Sequence, residues 1–212
     1  MHSRILIAAT LAIAGFGAES ANYDAERQGK LPPGWSAPAN HKWEVRSDKS
    51  APSHPNVLLG VSAGETQPPL ALFDKVICLD GDLSVKFRID NAQRGNAAGI
   101  VWRYQDPKNY YLLTLSADEK NVVLEKVRNG VPEFISTSAG RPAAAGIAED
   151  IRPGQWHLVK VAFRGSKVHV FFGNRSLFTV EDSGILAPGK TGLWVKGSSG
   201  AAFDDFRIDK KG

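Results

Sequence analysis

Along most of this chain apolar and polar residues alternate at every second position, in short runs closed by Gly, Pro, Asn or Asp. Period-two alternation sends successive side chains to opposite faces, so it predicts strands with one buried and one wetted face. The clearest run is Asp82-Leu-Ser-Val-Lys-Phe-Arg-Ile-Asp90, where Leu83, Val85, Phe87 and Ile89 share one face and Ser84, Lys86 and Arg88 the other. Further strands are predicted at Ala98–Tyr104, Asn109–Ser116, Asn121–Arg128, Glu133–Thr137, Trp156–Phe163, Lys167–Phe172, Leu177–Val180, Thr191–Lys196 and Ala202–Ile208. No segment carries a helical period. The pattern therefore predicts an all-β protein with enough antiparallel strands for a two-sheet sandwich.

The turns carry matching chemistry. Gln105-Asp106-Pro107, Asp118-Glu119-Lys120, Asn129-Gly130, Arg164-Gly165 and Gly173-Asn174 each separate two alternating runs, as in consecutive hairpins. Asn129 and Gly130 both tolerate positive φ, which favours a type I′ turn and pairs Val123–Arg128 with Val131–Ser136. Ser138–Pro153, with Gly140, Pro142 and three successive alanines, breaks the pattern and is expected to cross between sheets or cover one end. Asn22–Asn40 is expected to be an extended arm packed down by Trp35. No internal repeat of about 20–50 residues is visible, which argues against a propeller or solenoid.

The first residues change the picture of where the protein works. Met1-His2-Ser3-Arg4 precedes an uncharged run from Ile5 to Ala18, the form of a secretory leader. The run is too short for a bilayer core of about 30 Å, and Ala18 and Ser20 suit cleavage before Ala21. The expected organisation is a signal peptide at 1–20 and a single domain at 21–212, periplasmic or secreted, with no membrane span in the mature chain. Cys78 is the only cysteine, so no intramolecular disulfide can form. The net charge of +4 is spread through interleaved charges, without the Arg/Lys stripe that nucleic-acid binding requires.

Particular segments resemble a known family. Gly99-Ile-Val-Trp-Arg-Tyr-Gln-Asp-Pro-Lys-Asn-Tyr-Tyr-Leu112, Gly154-Gln-Trp-His-Leu-Val-Lys-Val161, Gly192-Leu-Trp-Val-Lys196 and Phe203-Asp-Asp-Phe206 are similar to the concanavalin A-like, laminin-G-like jelly roll of exported bacterial proteins. The likeness spans roughly Leu31 to Asp209. Within that group they resemble the branch described as a 3-keto-disaccharide hydrolase-like domain, loosely related to glycoside hydrolase family sixteen. The resemblance implies a two-sheet antiparallel jelly-roll sandwich and a carbohydrate or glycoside ligand. It also implies that Trp156 and its hairpin are scaffold.

The residues themselves oppose a literal family-sixteen mechanism, which needs two or three carboxylates at alternate positions of one strand. No such strand is present. Asp204 and Asp205 are adjacent and point to opposite faces; one is expected to pair with Lys86 or Arg88 across neighbouring strands. Alternatively the outward aspartate, Asp205, lines a concave sheet face with Arg103 and Lys196 and binds hydroxyls. The densest aromatic group is Trp102, Tyr104, Tyr110 and Tyr111, with Trp194 as a possible neighbour. Alternation places Trp102 and Tyr104 on one face and Arg103 on the other, while Tyr110 and Tyr111 diverge. Aromatic rings stack on the apolar faces of sugars, which makes Arg103, Tyr104, Asn109, Tyr111 and Trp194, with Lys196 and Asp205, the candidate ligand site. The same aromatics equally suit a sandwich core with tyrosine hydroxyls at its rim.

No cofactor is expected. Asp80, Asp82 and Asp106 are the carboxylates eligible for calcium, but they lack an Asp-x-Asp-x-Asp loop. His41, His54, His157 and His169 lack zinc-ligand spacing. Two functions follow from the reading: an exported carbohydrate-binding or carbohydrate-processing jelly roll of 3-keto-glycoside hydrolase type, or a non-catalytic structural module that binds a protein or a cell-wall surface.

Overall fold

A strand that alternates must bury one of its two rows of side chains, and here two sheets bury their rows against each other. The computed structural model describes residues 17–39, 41–62, 69–137, 143–197 and 200–212. Residues 1–16 of the expected leader, Asn40 of the expected arm and residues 138–142 of the expected crossing lie outside the described residues.

In chain order the strands are β1 (Ala18–Ala21), β2 (Trp35–Ser36), β3 (Lys42–Ser47), β4 (Asn56–Val61), β5 (Leu70–Cys78), β6 (Asp80–Ile89), β7 (Ala97–Asp106) and β8 (Asn109–Ser116). They continue with β9 (Asn121–Arg128), β10 (Val131–Phe134), β11 (Ile147–Ala148), β12 (His157–Arg164), β13 (Lys167–Phe172), β14 (Arg175–Glu181), β15 (Gly189–Lys196) and β16 (Ala201–Lys211). The first sheet runs β14-β13-β12-β6-β16-β4-β3, with β1 on β16; the second runs β10-β9-β8-β7-β15-β5-β2, with β11 on β9. Described pairings are antiparallel throughout, and the chain changes sheet at β1–β2, β2–β3, β4–β5, β5–β6, β6–β7, β11–β12, β14–β15 and β15–β16. The result is a jelly-roll sandwich. Among the described residues no helix is long and apolar enough to cross a membrane.

The predicted strands are present, with ends moved by a few residues. Asn129 and Gly130 take φ of 53° and 81°, and Val131 pairs with Arg128, as the type I′ turn requires. The chain after β10 does cross, through a 3₁₀ turn at Ala143–Ala145 and β11, from the second sheet to the first. Trp35 does pack the N-terminal arm: its ring lies 4.9 Å from Phe206 and 5.2 Å from Phe73. Cleavage before Ala21 would remove three of the four residues of β1.

β4 and β5 escape the alternation rule for a physical reason. Asn56–Val61 is buried on both faces: Leu58 enters the main core, while Val57 and Leu59 pack outward with Ala51, Ala202 and Trp156. β5 slips register against β15 between Thr191 and Lys190, so its inner row is interrupted at Asp74 and Lys75.

A second irregularity corrects the expected placing of the aromatic cluster. Trp102 and Tyr104 do not share a face. β7 bulges between Trp102 and Asp106, with Arg103 at φ 49°. The extra residues let both Trp102 and Arg103 point inward and turn Tyr104 outward. Gly189 on the neighbouring strand makes the bulge possible, because a Cβ there would lie 2.4 Å from the Arg103 backbone carbon.

Arg103 is fully buried. Its Nε donates to the Leu79 carbonyl at 2.8 Å, one terminal nitrogen to the Ile185 carbonyl at 2.9 Å, and the other to the Gly165 carbonyl at 2.6 Å and Asp80 Oδ1 at 3.3 Å. The guanidinium also lies over the rings of Phe163 and Tyr111, at 5.7 and 6.0 Å. It ties the β5–β6 turn, the β12–β13 turn and the segment before β15 to one point. Replacing it by leucine strands three carbonyls and a carboxylate. Arg103→Leu is expected to lower the unfolding free energy by about 3–5 kcal/mol in urea denaturation. A loss below about 1 kcal/mol, the worth of one ordinary hydrogen bond, would show that the guanidinium is not a structural tie.

Candidate functional site

The outer face of the second sheet is apolar where a solvated face is usually polar. Its central rows come from alternate residues: Tyr110 and Leu112 on β8, Val101 and Tyr104 on β7, Trp194 on β15, Leu70 and Leu72 on β5, and Val127 on β9. Leu70, Val101, Tyr110 and Leu112 are buried beneath their larger neighbours. The rings of Tyr104 and Tyr110 are 5.6 Å apart and tilted by 33°. Trp194 lies opposite Gly99, where a Cβ would come within 3.0 Å of its indole and 3.1 Å of Leu112. The glycine therefore lets the indole lie across β7 toward Leu112.

Glu125 stands in this apolar surface, opposite Leu112 in the β8–β9 register. Burial raises its carboxyl above the ordinary glutamate value, and Lys196 offsets this only in part. No hydrogen bond from a described residue contributes. Burial, and then the nearby Glu125 charge, push the Tyr110 phenol up to about 12. The face thus combines aromatic surfaces, one acceptor with lone pairs to spare and a cation at its margin. That set fits a ring with an apolar face and peripheral hydroxyls.

The structure brings three of the expected site residues, Tyr104, Trp194 and Lys196, to this one face. It separates the others. Arg103 is interior, with its donors committed to the contacts above. Tyr111 is also interior, stacked on Trp102 at 5.4 Å; its hydroxyl donates to Asp182 Oδ1 at 2.5 Å and accepts from the Ile185 amide at 3.1 Å. Asn109 sits at the β7–β8 tip, where its amide donates to Asp106 at 3.0 and 3.1 Å and its oxygen accepts the Asn129 amide at 3.1 Å. Asp205 belongs to the first sheet, in a bulge of β16, and pairs with Lys86 at 2.7 Å. It therefore does not share a surface with Arg103 and Lys196. Its neighbour Asp204 is buried and accepts from the Ser53 amide and hydroxyl.

Glu125 and Tyr110 are the members of the face that sequence reasoning left out of the site. The available signal was the row Val123, Glu125, Val127, in which a lone carboxylate shares a strand face with two valines. Trp156 is scaffold, as expected: it packs on Ala51, Val57, Leu59 and Ala202, and its Nε1 donates to Ser50 at 3.2 Å.

The carboxylates eligible for calcium have other partners. Asp80 accepts the Gly165 amide at 2.9 Å, Asp82 pairs with Arg164 at 3.0 Å, and Asp106 caps the turn at the Lys108 amide at 2.7 Å. Among the described residues no three His, Cys, Asp or Glu side chains are grouped to hold a metal ion. Cys78 is buried, and burial pushes its thiol up to about 11.

The chain matches no protein-family model and no curated protein in sequence. In three dimensions it is similar to the carbohydrate-binding module CBM66 from Bacillus subtilis, with a TM-score of 0.61 and 17% identity over 82% of this chain and 94% of that one. It is similar to the cellulose induced protein Cip1, with a TM-score of 0.59 and 15% identity over 91% of this chain and 97% of that one. A third similarity is to the GH43 protein BlXynB from Bacillus licheniformis, at a TM-score of 0.59 and 16% identity, covering 90% of this chain but 39% of that one. At these identities the likeness establishes the jelly-roll sandwich itself.

Glu125 provides a direct test of the face. A carboxyl whose folded pKa is raised contributes stability that is present below its unfolded pKa and lost as the pH rises through the folded value. Glu125→Gln is therefore expected to melt at a higher temperature than the parent at neutral pH, with the difference vanishing as the pH falls below the ordinary glutamate value. An unchanged or lower melting temperature at neutral pH would show that the carboxylate is already satisfied.

Proposed function

We propose that this protein binds carbohydrate on the outer face of its second sheet, with the sugar stacked on Tyr104 and Trp194, which rest on the buried Tyr110, and its hydroxyls taken by Glu125 and Lys196. The observation that carries this reading is the Glu125 carboxylate, half-buried on the apolar face opposite Leu112 and near Tyr110, with no hydrogen bond from a described residue. The relatives in fold point the same way, since one is itself a carbohydrate-binding module.

Binding without turnover fits the face better than hydrolysis does. Glycoside hydrolysis by paired carboxylates needs them about 5–9.5 Å apart. Asp74, on the same face, is committed to Lys190 at 2.6 Å and lies four strands from Glu125. At ~4.8 Å per strand that separation is about 19 Å. The resemblance of the Gly99–Leu112 and Gly154–Val161 segments supports the finer reading, action on 3-keto-glycosides. The charged start and uncharged run of the leader support export to the periplasm or beyond. The exposed Val131 and Phe134 on edge strand β10 favour the second reading, a non-catalytic module docking on a protein or cell wall.

A glycan array, titration calorimetry on its hits and a 3-keto-glycoside hydrolysis assay separate these readings. Retention of a glycan without turnover is expected. Trp194→Ala should weaken binding about tenfold, equivalent to ~1.4 kcal/mol. Affinity should fall as the pH drops through the raised Glu125 value, and Glu125→Gln should remove that dependence. Turnover abolished by Glu125→Gln would establish a hydrolase instead, and silence on the array would leave the docking module.

A further inference from the structure

One register row crosses the outer face of the first sheet: Phe171 on β13 stands opposite Lys160 on β12, Lys160 opposite Ser84 on β6, and Ser84 opposite Arg207 on β16. At ~4.8 Å per strand the row is about 14 Å long. Each of these side chains is at least partly exposed. The Phe171 ring packs against His169 at 3.9 Å and holds the Lys160 ammonium 5.4 Å from its centroid. Among the described residues neither Lys160 nor Arg207 forms a salt bridge, and Arg207 acts on Asp209 only through space. The carboxylates of the flanking rows are already held: Asp205 by Lys86 at 2.7 Å, Asp82 by Arg164 at 3.0 Å and Asp209 by Lys211 at 2.6 Å. Lys160 and Arg207 are therefore cations left over, about 10 Å apart at their backbones, with the Ser84 hydroxyl between them. Both side chains are long enough to close on one anionic group there.

The row is separate from the Trp156–Arg88 pair, since Ser84 precedes Arg88 on β6 by about 14 Å of strand. Nucleic acid, an anionic lipid surface and an acidic glycan all present anions of this kind. A phosphate backbone is bound by tracks of Lys and Arg, and here only Lys160 and Arg207 are unpaired in the row. The exposed large apolar residues, Ile77, Leu79, Val131, Phe134 and Leu186, all lie off this face, so it has nothing to insert into a bilayer. Spaced cations, a hydroxyl between them and a part-exposed aromatic edge on an open strip suit a chain of hydroxylated rings that carries acidic groups. We propose that an acidic oligosaccharide, bearing carboxylates or sulfate esters, lies along this row across the strands, with one anionic group held by Lys160, Arg207 and the Ser84 hydroxyl and the adjoining sugar beside Phe171. The site differs from the second-sheet face in position and in ligand charge, and does not depend on sugar binding there.

The test is titration calorimetry of the purified protein with tetragalacturonate, a chondroitin sulfate tetrasaccharide, inorganic sulfate, single-stranded oligothymidylate and vesicles of anionic phospholipid. At least one of the two acidic glycans is expected to bind, the first reporting on carboxylates alone and the second on sulfate esters as well. Lys160→Gln and Arg207→Gln, both on a wetted face and so expected to leave the melting temperature unchanged, should each weaken binding about threefold and together about tenfold. Raising NaCl from about 0.1 to about 1 M, which shortens the Debye length from about 10 to about 3 Å, should abolish it. Trp194→Ala should leave it unchanged, which keeps the result separate from that of the second-sheet face. No binding of either glycan, unchanged affinity in the double variant, affinity lost in Trp194→Ala, or equal or tighter binding of sulfate, oligothymidylate or vesicles would each overturn the site.

Discussion

The buried guanidinium of Arg103 is the constraint around which one end of this sandwich is arranged. A charge with no exposure is tolerated only where its donors are met, and here the acceptors come from three separate parts of the chain: Leu79 and Asp80, Gly165, and Ile185. Each of the two turns and the pre-β15 segment must approach to within hydrogen-bond distance of one planar fork, so their relative positions are coupled. With a single buried cysteine, no disulfide performs this task. The tie also reaches the second sheet's outer face. The left-handed backbone that turns Arg103 inward after Trp102 is what turns Tyr104 outward beside Tyr110. One strained residue thus closes the core and completes an aromatic surface on its opposite side.

Where the structure obeys a simple period, it was legible. The alternation of 82–90 survives unchanged in β6, because that strand lies inside its sheet with one face on the core and the other wet. The Asn129-Gly130 hairpin was legible because the residues that adopt positive φ are the ones that favour it. β4 was not, since burial on both faces erases the alternation. The bulge at Arg103 was not legible either. No glycine marks it in β7; the permissive glycine is Gly189, which is distant in sequence and adjacent only after β15 has paired.

The candidate site was legible in composition and not in geometry. Aromatic density around the β7–β8 turn drew attention to β7 and β8, yet its four aromatic residues divide between two environments. Tyr111 and Trp102 stack inside with Phe163, whereas Tyr104 and Tyr110 face out. A parity argument extended through a bulge inverts every assignment beyond it. Glu125 was hidden differently. Its cross-strand neighbours, Leu112 and Phe134, come from β8 and β10, so the apolar setting that makes a single glutamate unusual exists only across the assembled sheet.

A comparison of the two outer faces explains why the Trp156 end of one is read as scaffold and the other as a site. Both carry a tryptophan, a cation and carboxylates over small apolar clusters. On the first sheet these groups satisfy one another. Arg88 lies over the Trp156 ring at 5.1 Å, pairs with Asp48 and Asp90 at 2.7 Å each and donates to Ser50, which also accepts the indole proton. Hydrogen bonds from Ser50 and Arg88 outweigh burial and hold the Asp48 carboxyl below its ordinary value. On the second sheet burial raises Glu125, with Lys196 acting only through space. A closed network gains little from a ligand, because each new contact displaces an existing one. An open carboxylate set in an apolar face gains both an interaction and shelter when a hydroxylated ring covers it, and that difference in satisfaction is the physical basis for placing recognition on the second sheet and not at Trp156.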